Sequence, residues 1–394
     1  MHTLERADLI VVGAGFYGAT IAERAAADGL RVLVVDRRPH AAGNAFSEPD
    51  PATGIEVHRY GPHLFHTSSE AVWHYLGRFT AFNDFVYFGR TVHAGQSYSL
   101  PVNLSTICQF FGRHMAPDAA RALIEGQREV PAGREPANLE EKALSLIGRP
   151  LYEAFIRGYT MKQWQTDPRL LPPGVITRLP VRFTFDGRYF SDRFQGQPLD
   201  GYPAIFARML ASPLIELRLG IDWLDLRRMA PAAPPVVYTG AIDRYFDYAE
   251  GELGWRTTGF DTEVLPTGDF QGTAIVNYAD PEVAFTRITE YRHLHPERAH
   301  PPDRTIIVRE YPRFAGRHDE PFYPIDRPED RQVLARYRVR AAREQRVWFG
   351  GRLGTYTYLD MHQAIALALR DWGTIRARWF GHPAAPNEAA APTA

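Results

Sequence analysis

The chain has a single cysteine, Cys108, in 394 residues. One thiol cannot form an intrachain disulfide and cannot supply a multi-cysteine metal site. That usage suits the cytoplasm, where thiols stay reduced. No apolar run reaches the roughly eighteen residues that a membrane span needs, so none is expected. The start, Met1 to Asp8, is short and polar and lacks the basic, apolar and small-residue order of a secretion signal. Excess charge of one sign is missing too. The formal net charge is -1 and no basic block stands out, so nothing points to nucleic acid. Lysine is scarce and arginine far outnumbers it. Arginine carries a planar fork that grips phosphate in two places. With 45% hydrophobic and 23% charged residues, the chain can bury the cores of two or three domains.

Asp8 to Gly15 reads DLIVVGAG, an apolar run of the kind that forms a buried parallel strand. It continues as Gly13-Ala14-Gly15-Phe16-Tyr17-Gly18, a G-x-G-x-x-G pattern. A helical stretch follows to Asp28, with Gly29 as its stop. Arg31 to Asp36 is a second apolar strand that ends in an acid, at about the twenty-residue spacing of a ribose-binding carboxylate. Gly13 permits the tight turn, Gly15 lets the backbone approach a pyrophosphate, and Gly18 lets helix and strand pack closely. The helix N-terminus then offers N–H groups to the anion. The glycines alone are weak evidence and fit an ordinary βαβ turn. Strand, glycines, helix, strand and acid in order point to a dinucleotide site. Spacing leaves FAD and NAD open. Arg37-Arg38 followed by Gly43-Asn44 resembles the continuation in FAD-binding oxidase-type folds.

His58 to Thr67 reads HRYGPHLFHT. His63 and His66 are three apart, but no third ligand accompanies them, so no metal is expected. A loop that brings a histidine to the flavin is the better reading, and a polar turn is the plain one. Pro117 to Glu129 and Leu139 to Ile147 have helical periodicity, punctuated by Gly112, Pro131-Ala132-Gly133 and Gly148-Arg149-Pro150. A last helix of this insert is expected over Leu151 to Trp164. There Phe155 and Tyr159 share a face, as a buried aromatic stripe or as a platform for a planar base. Val181 to Phe185, Ala274 to Tyr278 and Thr305 to Arg309 are expected strands of an antiparallel sheet. Val236 to Gly240 and Val347 to Phe349 are expected to return to the first domain. Gly350-Gly351-Arg352 follows, and Asp360 is a natural cap for a helix through about Trp372.

Seven stretches in one order carry a family resemblance: Gly13 to Asn44, HRYGPHLFHT, GYTMKQW, RLPVRFTFDGRYFSDRFQG, YTGAIDRYFDY, EYPRFAGRHDEPFYP and GGRLGTYTYLDMHQ. They resemble the UDP-galactopyranose mutases, a family of FAD enzymes. The resemblance implies an α/β fold: a Rossmann-like FAD-binding domain, an inserted helical bundle and an antiparallel β-sheet domain. The FAD domain would comprise 1–78, 213–245 and 345–382, the helical domain 103–178, and the sheet domain 79–102, 179–212 and 246–344. Residues 383–394 read as a disordered tail. The implied activity is an isomerase that interconverts UDP-galactopyranose and UDP-galactofuranose by contracting the sugar ring. FAD works in its reduced form, its N5 attacking the anomeric carbon while UDP leaves. An external reductant, NAD(P)H, and a homodimer are implied as well.

The resemblance also assigns residues. Arg178 matches a mobile-loop arginine and Arg287 a second pyrophosphate arginine, and with His63 they form the catalytic set. Such cations stabilise a leaving diphosphate as its charge grows. Tyr189, Tyr323 and Tyr358 match phosphate-contacting tyrosines, Tyr159 with Phe155 the uracil platform, and Trp164 a tryptophan near the sugar. Around the flavin stand Gly13, Gly15, Phe16, Gly18, Asp36, Arg37, Gly43, Asn44, His63, Arg352, Tyr358, Asp360 and Met361. Taken singly, each arginine could equally be a solvated cation and each tyrosine a packing residue. Three places depart from the family pattern. Ala42 stands where glycine is expected and requires a negative φ there. Gln165 stands where a hinge glycine is expected, and Phe85 to Arg90 matches less well. Competing readings are a flavin amine oxidase-like oxidoreductase with an apolar channel, and a non-catalytic FAD-containing binder of nucleotide sugars.

Overall fold

Alternation along the opening strand sets the first layer. In the computed structural model, which describes residues 6–130, 133–176, 180–228 and 234–381, Leu9–Val12 is buried on both faces. It sits at the centre of a five-stranded parallel sheet ordered Val347–Phe349, Val236–Tyr238, Leu9–Val12, Val32–Asp36, Ile215–Leu219. Leu9, Val11, Val32, Val34 and Val237 face one side, where helices Phe16–Ala27 and Met361–Phe380 cover them. Ile10, Val12, Leu33, Val35 and Val236 face the other, against Trp223 and Tyr245. The two helices are tied by Tyr17 Oη donating to Asp371 at 2.7 Å and Trp372 Nε1 donating to Asp28 at 2.8 Å. Asp360 caps the C-terminal helix as expected, its N–H donating to Gln363 at 2.9 Å. The helix outruns the expected end at Trp372 and stops at Gly381, whose φ is +69°.

A second sheet has seven strands, ordered Tyr323–Pro324, Trp255–Leu265, Thr305–Phe314, Arg287–Glu290, Ile275–Tyr278, Gly89–His93, Gln96–Leu100. It is not the purely antiparallel sheet expected from sequence. Ile275–Tyr278 and Gly89–His93 pair in parallel, because the strands come from distant parts of the chain with no hairpin between them. Val181 to Phe185 is a further correction, for it joins no sheet. Its burial does not alternate either: Phe183 is buried and Phe185, two residues on, is exposed. Its backbone instead makes single bonds to the neighbouring loop, Arg182 N–H to Val102 O at 2.9 Å and Leu104 N–H to Thr184 O at 3.0 Å.

The helical insert follows its punctuation. Leu104–Phe110, Pro117–Gln127 and Leu139–Leu151 bury Ile107, Ile124, Leu144 and Ile147 in one core. Leu139–Leu151 breaks at Gly148, where φ is +72° and a Cβ would lie 2.7 Å from Gln127 O. The next helix is not a plain α-helix. Tyr152–Arg157 is wound as a π-helix before Gly158–Trp164. Phe155 lies in this wider turn and Tyr159 in the α-helix that follows. Among the described residues no helix is long and apolar enough to cross a membrane.

Candidate active site

Two cavities meet at one wall. The first lies along the C-terminal edge of the parallel sheet, where ligands of such sheets bind. Its turn is built from glycine for steric reasons. At Gly13, φ is +103° and a Cβ would lie 2.0 Å from Thr239 Oγ1. At Gly18 a Cβ would lie 1.9 Å from Gly13 O, so the helix packs onto the turn only without a side chain there. A Cβ on Gly43 would come within 3.1 Å of the Gly15 Cα. No side chain caps helix Phe16–Ala27, which leaves its first turn to an anion in the cleft. Asp36 lines the cleft and also braces the turn, accepting from Ala14 N–H at 2.8 Å and Arg38 N–H at 2.9 Å. Arg37 and Arg38 reach Glu320 at 2.6 and 2.7 Å, and Arg38 donates to Asn44 at 2.9 Å. A close-approach glycine turn, an open helix start and a carboxylate at the second strand together fit an extended dinucleotide.

The cradle contains one backbone correction. Ala42 has φ 78° and ψ -5°, the left-handed region, not the negative φ expected. It is buried, and its N–H donates to Ala14 O at 2.9 Å. Closing the Gly15–Gly43 approach holds it there at the expense of local strain.

The second cavity, of about 760 Å³, is lined by strands of the seven-stranded sheet, by Phe155 and Tyr159 of the helical insert and by Asp360 and Met361 at the start of the C-terminal helix. Asn44, His63, Phe322, Arg352, Asp360 and Met361 line both cavities and form the wall between them. Arg352 is held by main chain: Nη1 donates to Phe322 O at 2.9 Å, Nε to Leu359 O at 3.1 Å, and its plane lies over the Tyr358 ring. His63 is oriented by Gly61 O, 2.8 Å from Nδ1, and by its N–H on His58 Nδ1 at 2.9 Å. Burial lowers its pKa to about 4, so the ring is neutral at pH 7. His66 turns the other way, to Asp192 at 2.6 Å, so the two histidines do not act as a pair.

Arg287 lines the second cavity together with Arg352. Burial opposes its charge, but Glu310, 2.8 Å from Nε, holds it firmly cationic and raises its pKa. Tyr159, Tyr189, Tyr323 and Tyr358 share that chamber with Phe155. Burial pushes the Tyr323 hydroxyl up to about 12, so it is protonated and able to donate. The chamber thus offers cations, hydroxyl donors and aromatic faces together, a set suited to a nucleoside diphosphate.

Of the residues expected from sequence, Gly13, Gly15, Phe16, Gly18, Asp36, Arg37, Gly43, Asn44, His63, Arg352, Asp360 and Met361 all line the first cavity. Phe155, Tyr159, Tyr189, Arg287, Tyr323 and Tyr358 line the second. Trp164 lines neither and packs edge-on against Tyr323 at 5.7 Å. Arg178 and the segment 383–394 lie outside the described residues. Glu310, Phe322, Tyr87 and Asn277 also line the second cavity and were not anticipated. Glu310 and Phe322 fall inside the stretch EYPRFAGRHDEPFYP, which carried the family resemblance without either residue being assigned a role. Tyr87 lies in the poorly matching stretch, where no motif pointed to it.

Comparison with known proteins gives the same direction. A family model described as UDP-galactopyranose mutase matches residues 154–358, and one for an NAD(P)-binding Rossmann-like domain matches residues 11–79. A probable UDP-galactopyranose mutase of Klebsiella pneumoniae is 41% identical over 92% of this chain and 93% of its own length. A dTDP-fucopyranose mutase of Escherichia coli is 37% identical over 92% and 96%. The crystal structure of a reduced UDP-galactopyranose mutase superposes with a TM-score of 0.72 at 13% identity, covering 94% of this chain and 95% of that one. A putative protoporphyrinogen oxidase from Exiguobacterium superposes at 0.60, which shows how widely the fold is shared. Model, relatives and fold agree: the chain belongs to the UDP-galactopyranose mutase family.

Proposed function

We propose that the chain interconverts UDP-galactopyranose and UDP-galactofuranose, with FAD in the first cavity and the nucleotide sugar in the second. The observation that carries this reading is the shared wall at His63, Arg352, Asp360 and Met361, where a flavin ring and a sugar would meet. When bound and reduced, FAD supplies the nucleophilic ring nitrogen for the anomeric carbon. The chain's own residues do the rest. Arg287, kept cationic by Glu310, binds the diphosphate and stabilises UDP as it leaves. Tyr189, Tyr323 and Tyr358 donate to it, and Arg178 is its second cation. Phe155 and Tyr159 hold the uracil, while Trp164 borders the sugar from behind Tyr323. Neutral His63 and cationic Arg352 fix the ring system at the junction, and His63 completes the catalytic set without carrying a charge there. Gly13, Gly15, Phe16, Gly18, Asp36, Arg37, Gly43 and Asn44 hold the rest of the cofactor.

The same reading divides the chain into an FAD domain (1–78, 213–245, 345–382), a helical domain (103–178) and a sheet domain (79–102, 179–212, 246–344). It makes the enzyme a cytoplasmic homodimer that draws electrons from NAD(P)H. No net oxidation occurs, so the reductant acts as an activator and not as a substrate.

The test is incubation of FAD-loaded protein with UDP-galactofuranose, with and without dithionite, and separation of the products. Conversion only under reduction is expected. No conversion by fully loaded, reduced protein overturns the reading. dTDP-fucopyranose is the control substrate, given the relative that is named for it.

A further inference from the structure

Arg256 is fully buried, and among the described residues no carboxylate lies within ion-pair distance of it. A guanidinium taken out of water without an acid must place its donors well. Nη2 donates to Gln163 O at 2.9 Å and Nη1 to Gln165 Oε1 at 3.1 Å, and the plane lies over the Phe314 ring at 4.5 Å. Gln165 itself ends helix Gly158–Trp164 with φ +48°, in the left-handed region. Its amide oxygen also accepts from Phe314 N–H at 3.3 Å. A glycine at that position would relieve the backbone and lose both bonds. The glutamine side chain therefore gives this departure from the family pattern a structural use.

Across the sheet Arg256 stands in register with Tyr323. The Gln163 side-chain amide donates to the Tyr323 hydroxyl, and the guanidinium interacts with the same group. Arginine has donors only. With donors on the protein side, the Tyr323 oxygen accepts there, and its own hydrogen is left to point elsewhere. Tyr323 lines the second cavity, whereas Arg256 does not.

We propose that Arg256 is a positioning residue: from behind the cavity wall it turns the Tyr323 hydroxyl into a donor toward the ligand's diphosphate, and it fixes the helix end at Gln163–Gln165 beside Trp164. This rests on the nucleotide-diphosphate reading of the second cavity. Burial raises the Tyr323 pKa and the Arg256 charge works against that rise, which strengthens the hydroxyl as a donor.

The experiment measures UDP dissociation and steady-state kinetics of the FAD-loaded full chain. Arg256→Met should weaken UDP binding about tenfold and raise KM more than it lowers kcat, the loss expected for one hydrogen bond to a charged group. FAD content should not change. Arg256→Lys, which keeps the charge but not the fork, should restore binding to within about threefold of wild type. In a Tyr323→Phe background, Arg256→Met should add no more than about twofold, because the arginine acts through that hydroxyl. UDP binding by Arg256→Met within twofold of wild type overturns the proposal, and so does full additivity with Tyr323→Phe. Should Arg256→Met fail to retain FAD, Gln165→Gly decides. It removes one bond of the lock and should weaken UDP binding about threefold, and unchanged binding overturns the proposal. A wild-type chain that retains FAD but does not bind UDP overturns the ligand reading beneath it.

Discussion

Arg287 and Glu310 face each other across adjacent antiparallel strands, at paired positions, with Nε 2.8 Å from Oε1. The carboxylate is almost wholly buried, so this is a fixed pair and not a surface contact. Replacing Glu310 with Gln keeps the shape and removes the charge that holds Arg287 in place. The expected result is a fall in kcat/KM of about tenfold to a hundredfold, the range for disturbing a buried charge at a binding site. FAD absorbance should be unaffected. Kinetics with UDP-galactofuranose decide it, and wild-type values would show that Arg287 needs no partner.

Arg178→Ala is expected to lose activity by two or more orders of magnitude, on the scale of about 3 kcal/mol for a donor that stabilises a leaving group. FAD should stay bound, because the role proposed for Arg178 lies on the substrate side. Near-normal turnover removes Arg178 from the site.

Ala42→Gly is expected to stabilise the protein. The left-handed backbone of Ala42 costs about 1–2 kcal/mol, and glycine gives back about 0.4–1 kcal/mol through the unfolded chain. The net is a gain of about 0.5–1 kcal/mol, read as a higher thermal midpoint of the FAD-loaded protein. A lower midpoint contradicts the strain.

His63 predicts an acid-labile fold. Its folded pKa, about 4, lies below the ordinary histidine value, so the unfolded chain binds a proton that the folded one refuses. The stabilisation is complete above about pH 6.5 and is lost as pH falls toward 4. It amounts to about 2 kcal/mol once the edge open to the cavities is allowed for. His63→Gln should flatten the dependence of the thermal midpoint on pH between 4 and 6.5. An unchanged slope would assign the lability to other groups, with His58 the first to examine because burial lowers its pKa as well.

The first cavity was legible in the sequence because its geometry is local. Gly13, Gly15, Gly18 and Asp36 sit on one βαβ unit whose spacing is set by the turn and the helix. Asp360 and the glycines before it are a second local signal. The second cavity is made by strands far apart in the chain, so its pairing could not be read. Glu310 lies one residue beyond the strand expected over Thr305 to Arg309, and only the register across to Arg287 shows what it holds. Val181 to Phe185 misled for the same reason. A short run of β-branched and aromatic residues does not show whether the backbone has a strand to pair with. Arg256 gave no signal at all, since an isolated arginine in a strand reads as a solvated cation.

The parallel sheet is completed by its last strand, Val347–Phe349, and the cleft by Gly351, Arg352, Asp360 and Met361. The glycine turn, by contrast, is made within the first twenty residues. A chain cut before Gly351 therefore keeps the glycine turn and loses Gly351, Arg352, Asp360 and Met361, so it carries only part of the first cavity's lining.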